Sequence, residues 1–319
     1  MYYIGVDLGG TNIAAGVVDS NYKIVAKGSV PTNAKRPADD IMKDMADLCK
    51  KLVTDAGLTI DDIEYVGIAS PGAVDPVNGI VLRAANLPFE HFPIADALKK
   101  HLPVERVLVE NDANAAAKGE AVAGAARGVA HAIMVTLGTG VGGGIIIDHK
   151  IYSGFNYTGA ELGHVIIEYN GRQCTCGMRG CWEAYSSATA LINMTKEKLD
   201  ECSQKGIPTL MTDIVANDGK VSGKTAFAAM KKGDAPAKEV VDMYISYLAC
   251  GIINMINIFQ PEILVIGGGI CNEGDNLMNP LKELVFDGIF TGNRTNTTTL
   301  KVAELGNDAG IIGAAALGL

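Results

Sequence analysis

Three groups of residues in this chain have types and spacings that could do chemistry. The first is an acidic junction, Glu110-Asn111-Asp112, which closes the apolar run Val107-Leu108-Val109 and opens a helical stretch rich in alanine. Asp112 can be read there as a helix cap. It can also be read as a general base, taking the proton of a hydroxyl that receives a phosphoryl group. The second group is three glycine turns, at Gly9-Gly10, Gly138 to Gly144 and Gly267 to Gly269, each placed after an apolar strand. Turns without Cβ atoms let backbone N–H groups converge on an anion, although each alone could be an ordinary hairpin turn. The third is His164-x₉-Cys174-x-Cys176-x₄-Cys181. One imidazole and three thiolates suit a structural Zn²⁺, and Gly177 and Gly180 give the chain room to wrap an ion; free buried thiols are the alternative.

The segment Gly138-Thr139-Gly140-Val141-Gly142-Gly143 matches G-x-G-x-x-G. A dinucleotide fingerprint must open a helix whose N-terminus takes the pyrophosphate, whereas these glycines lead into Gly144-Ile145-Ile146-Ile147, a strand. A Rossmann-type oxidoreductase is therefore disfavoured, and the chain has no Walker-type phosphate loop.

The elements that must position these residues follow from the apolar pattern. Tyr2 to Leu8 and Asn12 to Val18 read as strands around the first glycine turn, with a third strand around Tyr22 to Val30. Pro37 to Ala56 has helical spacing and ends at Gly57, a natural C-terminal stop. Strands at Ile63 to Ala69 and Arg106 to Glu110 precede the helix beginning at Asp112. His131 to Leu137 and Gly142 to Ile147 form a second hairpin around Gly138 to Gly140. Gly9 and Gly138, like Asp19 and Asp148, are 129 positions apart, a weak internal repeat suggesting two lobes of similar design. Helices are expected at Ser187 to Cys202, Thr225 to Lys232 and Asp234 to about Phe259, a strand at Ile263 to Ile266, and a small-residue helix at Ala309 to Leu319 that packs back onto the first lobe.

Composition narrows the classes. The chain has 319 residues, 27 basic and 36 acidic, for a formal charge of −9. That balance argues against nucleic-acid or membrane-surface binding driven by net charge. A hydrophobic content of 48% supports a sizeable core. The length suggests two domains, or two lobes around one cleft, at roughly 100–200 residues per domain. Glycine supplies 38 residues, above its usual share of about 7%, while proline at 11 is not raised, unlike in disordered chains. No apolar run reaches the roughly 18 residues needed to span a bilayer, and the N-terminus lacks the basic region of a signal peptide. Seven cysteines, three of them within eight residues, favour a reducing, cytoplasmic setting over a disulfide framework.

Asp7-Leu8-Gly9-Gly10-Thr11-Asn12, Glu110 to Ala117 and Leu137 to Gly144 together resemble the ROK family of repressors and sugar kinases. The resemblance runs from residue 2 to the C-terminal helix. It implies an α/β fold of the actin-like, hexokinase-type (ribonuclease H-like) ATPases, with two lobes around a cleft. The small lobe would comprise residues 1–115 plus 305–319, and the large lobe residues 116–304 with a zinc knuckle and dimerisation helices. The implied activity is ATP-dependent phosphorylation of glucose to glucose 6-phosphate, with Mg-ATP in the interlobe cleft and Asp112 as base.

Further roles follow from the same resemblance. Asn111, Gly72, Asn86, Glu161, His164 and Glu183, beside Asp112, would contact the sugar. Asp7 would hold Mg²⁺ through water. The segments Gly9, Gly10, Thr11, Asn12 and Gly138, Thr139, Gly140 would cradle the phosphates, and Gly267, Gly268, Gly269 the adenosine. The zinc-bearing branch of the family shares the His164, Cys174, Cys176, Cys181 spacing. A homodimer or dimer of dimers is implied, acting on a hexose and ATP, with no nucleic-acid or membrane partner. Cys181-Trp182-Glu183 and the residues after it, with Asn86-Leu87-Pro88-Phe89, resemble the glucokinases of Gram-positive bacteria. Fructose, mannose, allose and N-acetylmannosamine are the alternative hexoses, and polyphosphate an alternative donor that the Gly267 turn disfavours. A sugar-sensing ROK repressor lacking its DNA-binding domain is disfavoured by the intact ATP motifs and by the single residue ahead of the first strand.

Overall fold

Apolar residues run almost without interruption through Tyr2–Leu8, the mark of a strand covered on both faces. This strand, β1, is the middle member of a five-stranded sheet. The computed structural model describes residues 1–290, 292 and 298–318. β1 pairs antiparallel with β2 (Asn12–Asp19), with Leu8 opposite Ile13, so Gly9-Gly10-Thr11 lies outside the ladder as the turn. β3 (Ile24–Pro31) extends the meander. α1 (Ala38–Asp55) buries Ile41, Met45, Leu48 and Leu52 in one core with the β1 side chains Ile4, Val6 and Leu8. It stops ahead of Gly57, whose φ of +72° is the left-handed conformation that ends helices.

β4 (Ile63–Ser70) then joins β1 in parallel. A small sheet of β5 (Ala73–Asp75), β6 (Ile80–Arg83) and β7 (Glu90–Phe92) follows, then α2 (Ile94–Lys99). β8 (Val107–Asn111) pairs parallel with β4, giving the order β3-β2-β1-β4-β8, and α3 (Asp112–Ala123) leaves its end.

The second hairpin repeats the plan. β9 (Ala132–Leu137), β10 (Val141–Ile147) and β11 (Lys150–Tyr152) are followed, after α4 (Glu183–Ser186), α5 (Ala188–Lys205), α6 (Leu210–Asp218), α7 (Thr225–Met230) and α8 (Ala235–Phe259), by β12 (Ile263–Gly267). α9 (Asp275–Gly288) and β13 (Thr299–Val302) complete a sheet of order β11-β10-β9-β12-β13. α8 opens on Asp234, whose carboxylate accepts the Ala237 N–H, with Pro236 in its first turn. Among the described residues it is the one helix long and apolar enough to cross a membrane, yet Tyr244, Leu248, Ile252 and Ile256 on it are fully buried in the protein.

α10 (Ala309–Ala315) returns to the first sheet. A Cβ added at Gly67 would lie 1.8 Å from the Ala314 carbonyl oxygen, so the helix backbone touches β4 directly and the small residues there permit it. The helix ends at Ala315, four residues before the expected limit, and Leu319 lies outside the described residues.

Contacts divide the chain into two units: Met1–Met134 with Gly143–Ala160 and Ala303–Leu319, and Val135–Gly142 with Glu161–Val302. The first unit is thus larger than residues 1–115 plus 305–319. α3 stays with it because α10 packs along α3, and because Gly144 lies against α3: a Cβ at Gly144 would be 2.6 Å from Ala117 Cβ. The returning segment joins it ahead of Leu305 because the buried Glu120 carboxylate accepts the N–H groups of Glu304 (3.2 Å) and Leu305 (2.8 Å).

Candidate active site

In the first unit the parallel strands end in acids. Two residues at the β8–α3 junction could cap the helix, and the structure selects Asn111: its Oδ1 accepts from the N–H of Ala113 at 2.9 Å and of Asn114 at 3.2 Å. Asp112 is therefore the first residue of the helix and not its cap; its Oδ1 accepts the adjacent Ala113 N–H (2.9 Å), and the Asn111 side chain also hydrogen-bonds its carboxylate. Its carboxylate is left available for chemistry. Burial raises the Asp112 pKa above the ordinary carboxylate value, with the Ala113 hydrogen bond opposing. Asp7, on β1, is raised to about 6, by burial first and by the charge of Asp112 second. Two carboxylates that each resist ionisation beside the other suit a bound cation, and their shifted pKa values mark a candidate site.

The expected sugar residues of this unit gather on the same junction. Asn111 Nδ2 donates to the Gly72 carbonyl at 3.0 Å, which ties the junction to that loop. Gly72 has φ +92° on the loop after β4. Asn86, on the loop between β6 and β7, lies against the first glycine turn: a Cβ at Gly10 would come within 3.2 Å of Asn86 Cβ. The turn is closed by Gly9 N–H to the Asn12 carbonyl (2.9 Å) and anchored by the Thr32 hydroxyl on the Gly9 carbonyl (2.6 Å). Thr11 and Asn12 are exposed beside it.

In the second unit, His164 lies on a short 3-10 turn (Leu162–His164) that begins just after the exposed Glu161. Cys174, Cys176 and Cys181 come together with it, all four ligand atoms within 4.8 Å of one another. Cys176 and Cys181 Sγ are 3.6 Å apart, and Cys174 Sγ is 3.8 Å from His164 Nδ1. Bonds of about 2.0–2.3 Å to a tetrahedral Zn²⁺ require ligand separations of roughly this size. Burial and the two neighbouring thiols push Cys181 up to about 12, so three thiolates at this spacing call for a cation. Nδ1 faces the thiols, leaving Nε2 of His164 for another partner.

Glu183, the first residue of α4, ties this cluster to the second glycine turn. Its Oε1 accepts from the Thr175 hydroxyl (3.1 Å) and the Cys174 thiol (3.7 Å), and its Oε2 accepts the Val141 N–H (3.0 Å). A Cβ at Gly140 would lie 2.2 Å from Oε2, so a side chain there would displace the Glu183 carboxylate. Every carbonyl of the turn is occupied: Gly138 by the Ala188 N–H (2.9 Å), Thr139 by the Thr189 hydroxyl (2.8 Å), Gly140 by the Gly138 N–H (3.0 Å). Carbonyl oxygens drawn into the protein are turned from an anion that the amides would hold. A cavity of about 310 Å³, lined by Thr139, Thr175, Glu183, Thr189 and Asn193, joins turn and cluster. The third turn meets the same place, since a Cβ at Gly268 (φ +112°) would lie 2.1 Å from the Leu137 carbonyl oxygen. Thr175 and Thr189 carry no signal in the sequence; their parts come from the fold alone.

Known proteins share this arrangement. The ROK family model matches residues 3–319. A glucokinase of Thermotoga maritima is 39% identical over 315 residues, covering 98% of this chain and 96% of its own. The solved structure of a ROK family glucokinase from Streptomyces griseus in complex with glucose and AMPPNP is 33% identical, with a TM-score of 0.80 and 99% of both chains covered. A ROK hexokinase from Thermus thermophilus is 30% identical with a TM-score of 0.78, over 99% of this chain and 97% of its own. A match that takes in both hairpins, the acidic junction, the Cys/His cluster and the C-terminal helix places this chain in the ROK family, with the actin-like, hexokinase-type fold.

Proposed function

We propose that the protein is an ATP-dependent glucokinase, transferring the γ-phosphoryl group of ATP to the 6-hydroxyl of glucose. The observation that carries this is the half-buried carboxylate of Asp112, released from helix capping by Asn111 and held as the first residue of α3 just after a parallel strand. Asp112 accepts the proton of the 6-hydroxyl as its oxygen bonds to phosphorus and the bond from the γ-phosphorus to the bridging oxygen breaks, releasing ADP. Asn111 and Asn86, with the loop at Gly72, orient the sugar. Glu161, His164 Nε2 and Glu183 are the further sugar-binding residues of this reading. The Gly9 and Gly138 N–H groups close their own turns, so the amides of Gly10 to Asn12 and of Thr139 and Gly140 hold the phosphates, and Gly267 to Gly269 border the adenosine. Backbone donors of this kind add charge stabilisation without basic side chains, which fits a chain of net charge −9.

Two metals fit the residues present. Asp7, whose neutral form is favoured by burial and by Asp112, would hold Mg²⁺ through water, and that ion neutralises phosphate charge when bound. His164, Cys174, Cys176 and Cys181 would hold a structural Zn²⁺ that fixes the His164 ring, while the Thr175 hydroxyl within the knuckle holds Glu183. Assembly into a homodimer or dimer of dimers belongs to the same proposal and is read by scattering in solution. The activity is tested by an ATP-coupled assay across glucose, fructose, mannose, allose and N-acetylmannosamine, with polyphosphate as a second donor. The highest kcat/KM is expected for glucose with ATP; a higher value for another hexose or donor overturns the specificity.

A further inference from the structure

We propose that Glu110 is a positioning residue for phosphoryl transfer, holding the strand-to-helix junction from which Asn111 and Asp112 act. The inference rests on Asp112 being the base. Glu110 is 7% exposed, the last outward register position of β8 before Asn111, paired with Ala69 of β4. A carboxylate this dry is costly unless hydrogen bonds hold it. Here one oxygen, Oε1, accepts both the Asn111 N–H (2.8 Å) and an Asn114 Nδ2 N–H (3.1 Å). The first bond clamps the residue that caps α3 and contacts the Gly72 loop. The second reaches one turn along the helix whose first residue is Asp112.

Asn114 shows that this contact is built and not incidental. It is 4% exposed, and its Oδ1 has no hydrogen-bond partner among the described residues. An orphaned buried carbonyl costs stability, and turning the amide over would set Oδ1 against Glu110 Oε1. The orientation that places Nδ2 on Glu110 leaves Oδ1 without a partner among the described residues. Glu110, Asn111 and Asn114 form a closed set of contacts around the peptide that carries Asp112. A shift of about 1 Å in such a group can cost on the order of 100-fold in rate.

The work falls on the position of one acceptor oxygen, not on the charge, and two substitutions separate these. Glu110→Gln keeps an oxygen at the same reach without the charge; Glu110→Asp keeps the charge but withdraws the oxygen by one methylene. Glu110→Gln is expected to stay within about threefold of the unsubstituted enzyme in kcat and in KM for glucose. Glu110→Asp is expected to lose about 10- to 100-fold in kcat and to raise KM for glucose. The proposal is overturned if Glu110→Asp behaves as the unsubstituted enzyme, or if Glu110→Gln is as impaired as Glu110→Asp. It is also overturned if Glu110→Asp only lowers the folded fraction, with kcat per folded molecule and KM unchanged. Asp112→Asn assayed alongside separates the two layers: activity retained there removes the base itself, whereas an inactive Asp112→Asn with a normal Glu110→Asp removes only the role given to Glu110.

Discussion

The two five-stranded sheets share one strand order, with a hairpin-linked trio followed by two parallel strands, yet they carry different chemistry. Placed at the offset of 129 residues, Asp7 at the end of β1 corresponds to Thr136 on β9, and Thr11 in the first turn to Gly140 in the second. The first sheet ends in acids, Asp7, Glu110 and Asp112, each held above its ordinary pKa by burial. The second has no acid at the matching position; its turn is braced from outside by Glu183, which the Cys/His cluster supports. The same backbone plan supplies two amide-lined turns. What differs is whether the strand end holds a proton acceptor or the turn is fixed against a neighbouring knuckle. The first arrangement costs stability and gives reactivity, while the second gives geometry.

The largest break in this comparison is expected from Asp112→Ala. Loss of a general base lowers kcat by about 10² to 10⁴, while glucose affinity by calorimetry and the thermal midpoint stay close to those of the unsubstituted protein. Substantial retained turnover ends the assignment. Complete removal of zinc should act next, and only through the second unit: the thermal midpoint falls and glucose affinity weakens together, by about 10- to 100-fold. Glucose affinity and fold that both survive metal removal break the link between knuckle and sugar. The turns can be exchanged in character by Gly140→Thr and Thr11→Gly. Gly140→Thr drives a side chain into Glu183 and should raise KM for glucose about tenfold or more, whereas Thr11→Gly should change it far less; equal effects mean that the two turns are not distinguished by Glu183.

Asp7→Asn tests the stability cost. The folded pKa of Asp7, about 6, lies above its ordinary value of 3.8, so its ionised form opposes folding. The stability its neutral form supplies is complete below the ordinary value and is lost as pH rises through about 6. Asn has no such loss, so at pH 7 the magnesium-free Asp7→Asn protein should be more stable, by on the order of 2 kcal/mol, while turning over more slowly. Denaturant titration at pH 4 and pH 7 reads this; a gap that does not widen with pH contradicts it. The smallest effect is on the acid limb of kcat/KM, which should titrate above the usual aspartate range because burial raises Asp112. A limb at the ordinary value would place the base in water.

Much of this was legible in the sequence because glycine punctuates it. Gly9-Gly10 and Gly138 to Gly140 separate strands whose bounds the structure reproduces within about two residues. β5, β6 and β7 are three or four residues long, too short for alternation to show, and α9 carries Pro280 inside its otherwise regular apolar spacing. At the junction the sequence pointed to Asp112 as the cap, whereas the structure puts Asn111 there; backbone direction decides this, and that depends on the β4–β8 register. The Cys/His set was visible because its ligands are close in sequence. Thr175 and Thr189 were not, since a hydroxyl that braces a carboxylate or a carbonyl looks like any other threonine until the chain is folded.

Trp182 is the single tryptophan of the chain, flanked by Cys181 and Glu183. It is fully buried, its indole N–H donates to the Tyr247 carbonyl at 3.1 Å, and Gly251 leaves room for its ring: a Cβ there would lie 2.0 Å from it. The protein therefore contains one indole fluorophore, which can be excited apart from its ten tyrosines, covalently next to a thiol of the Cys/His set and to the carboxylate that braces the turn. Its emission comes from a single environment, so loss of the metal, arrival of the sugar and unfolding of the knuckle can each be followed optically without a label.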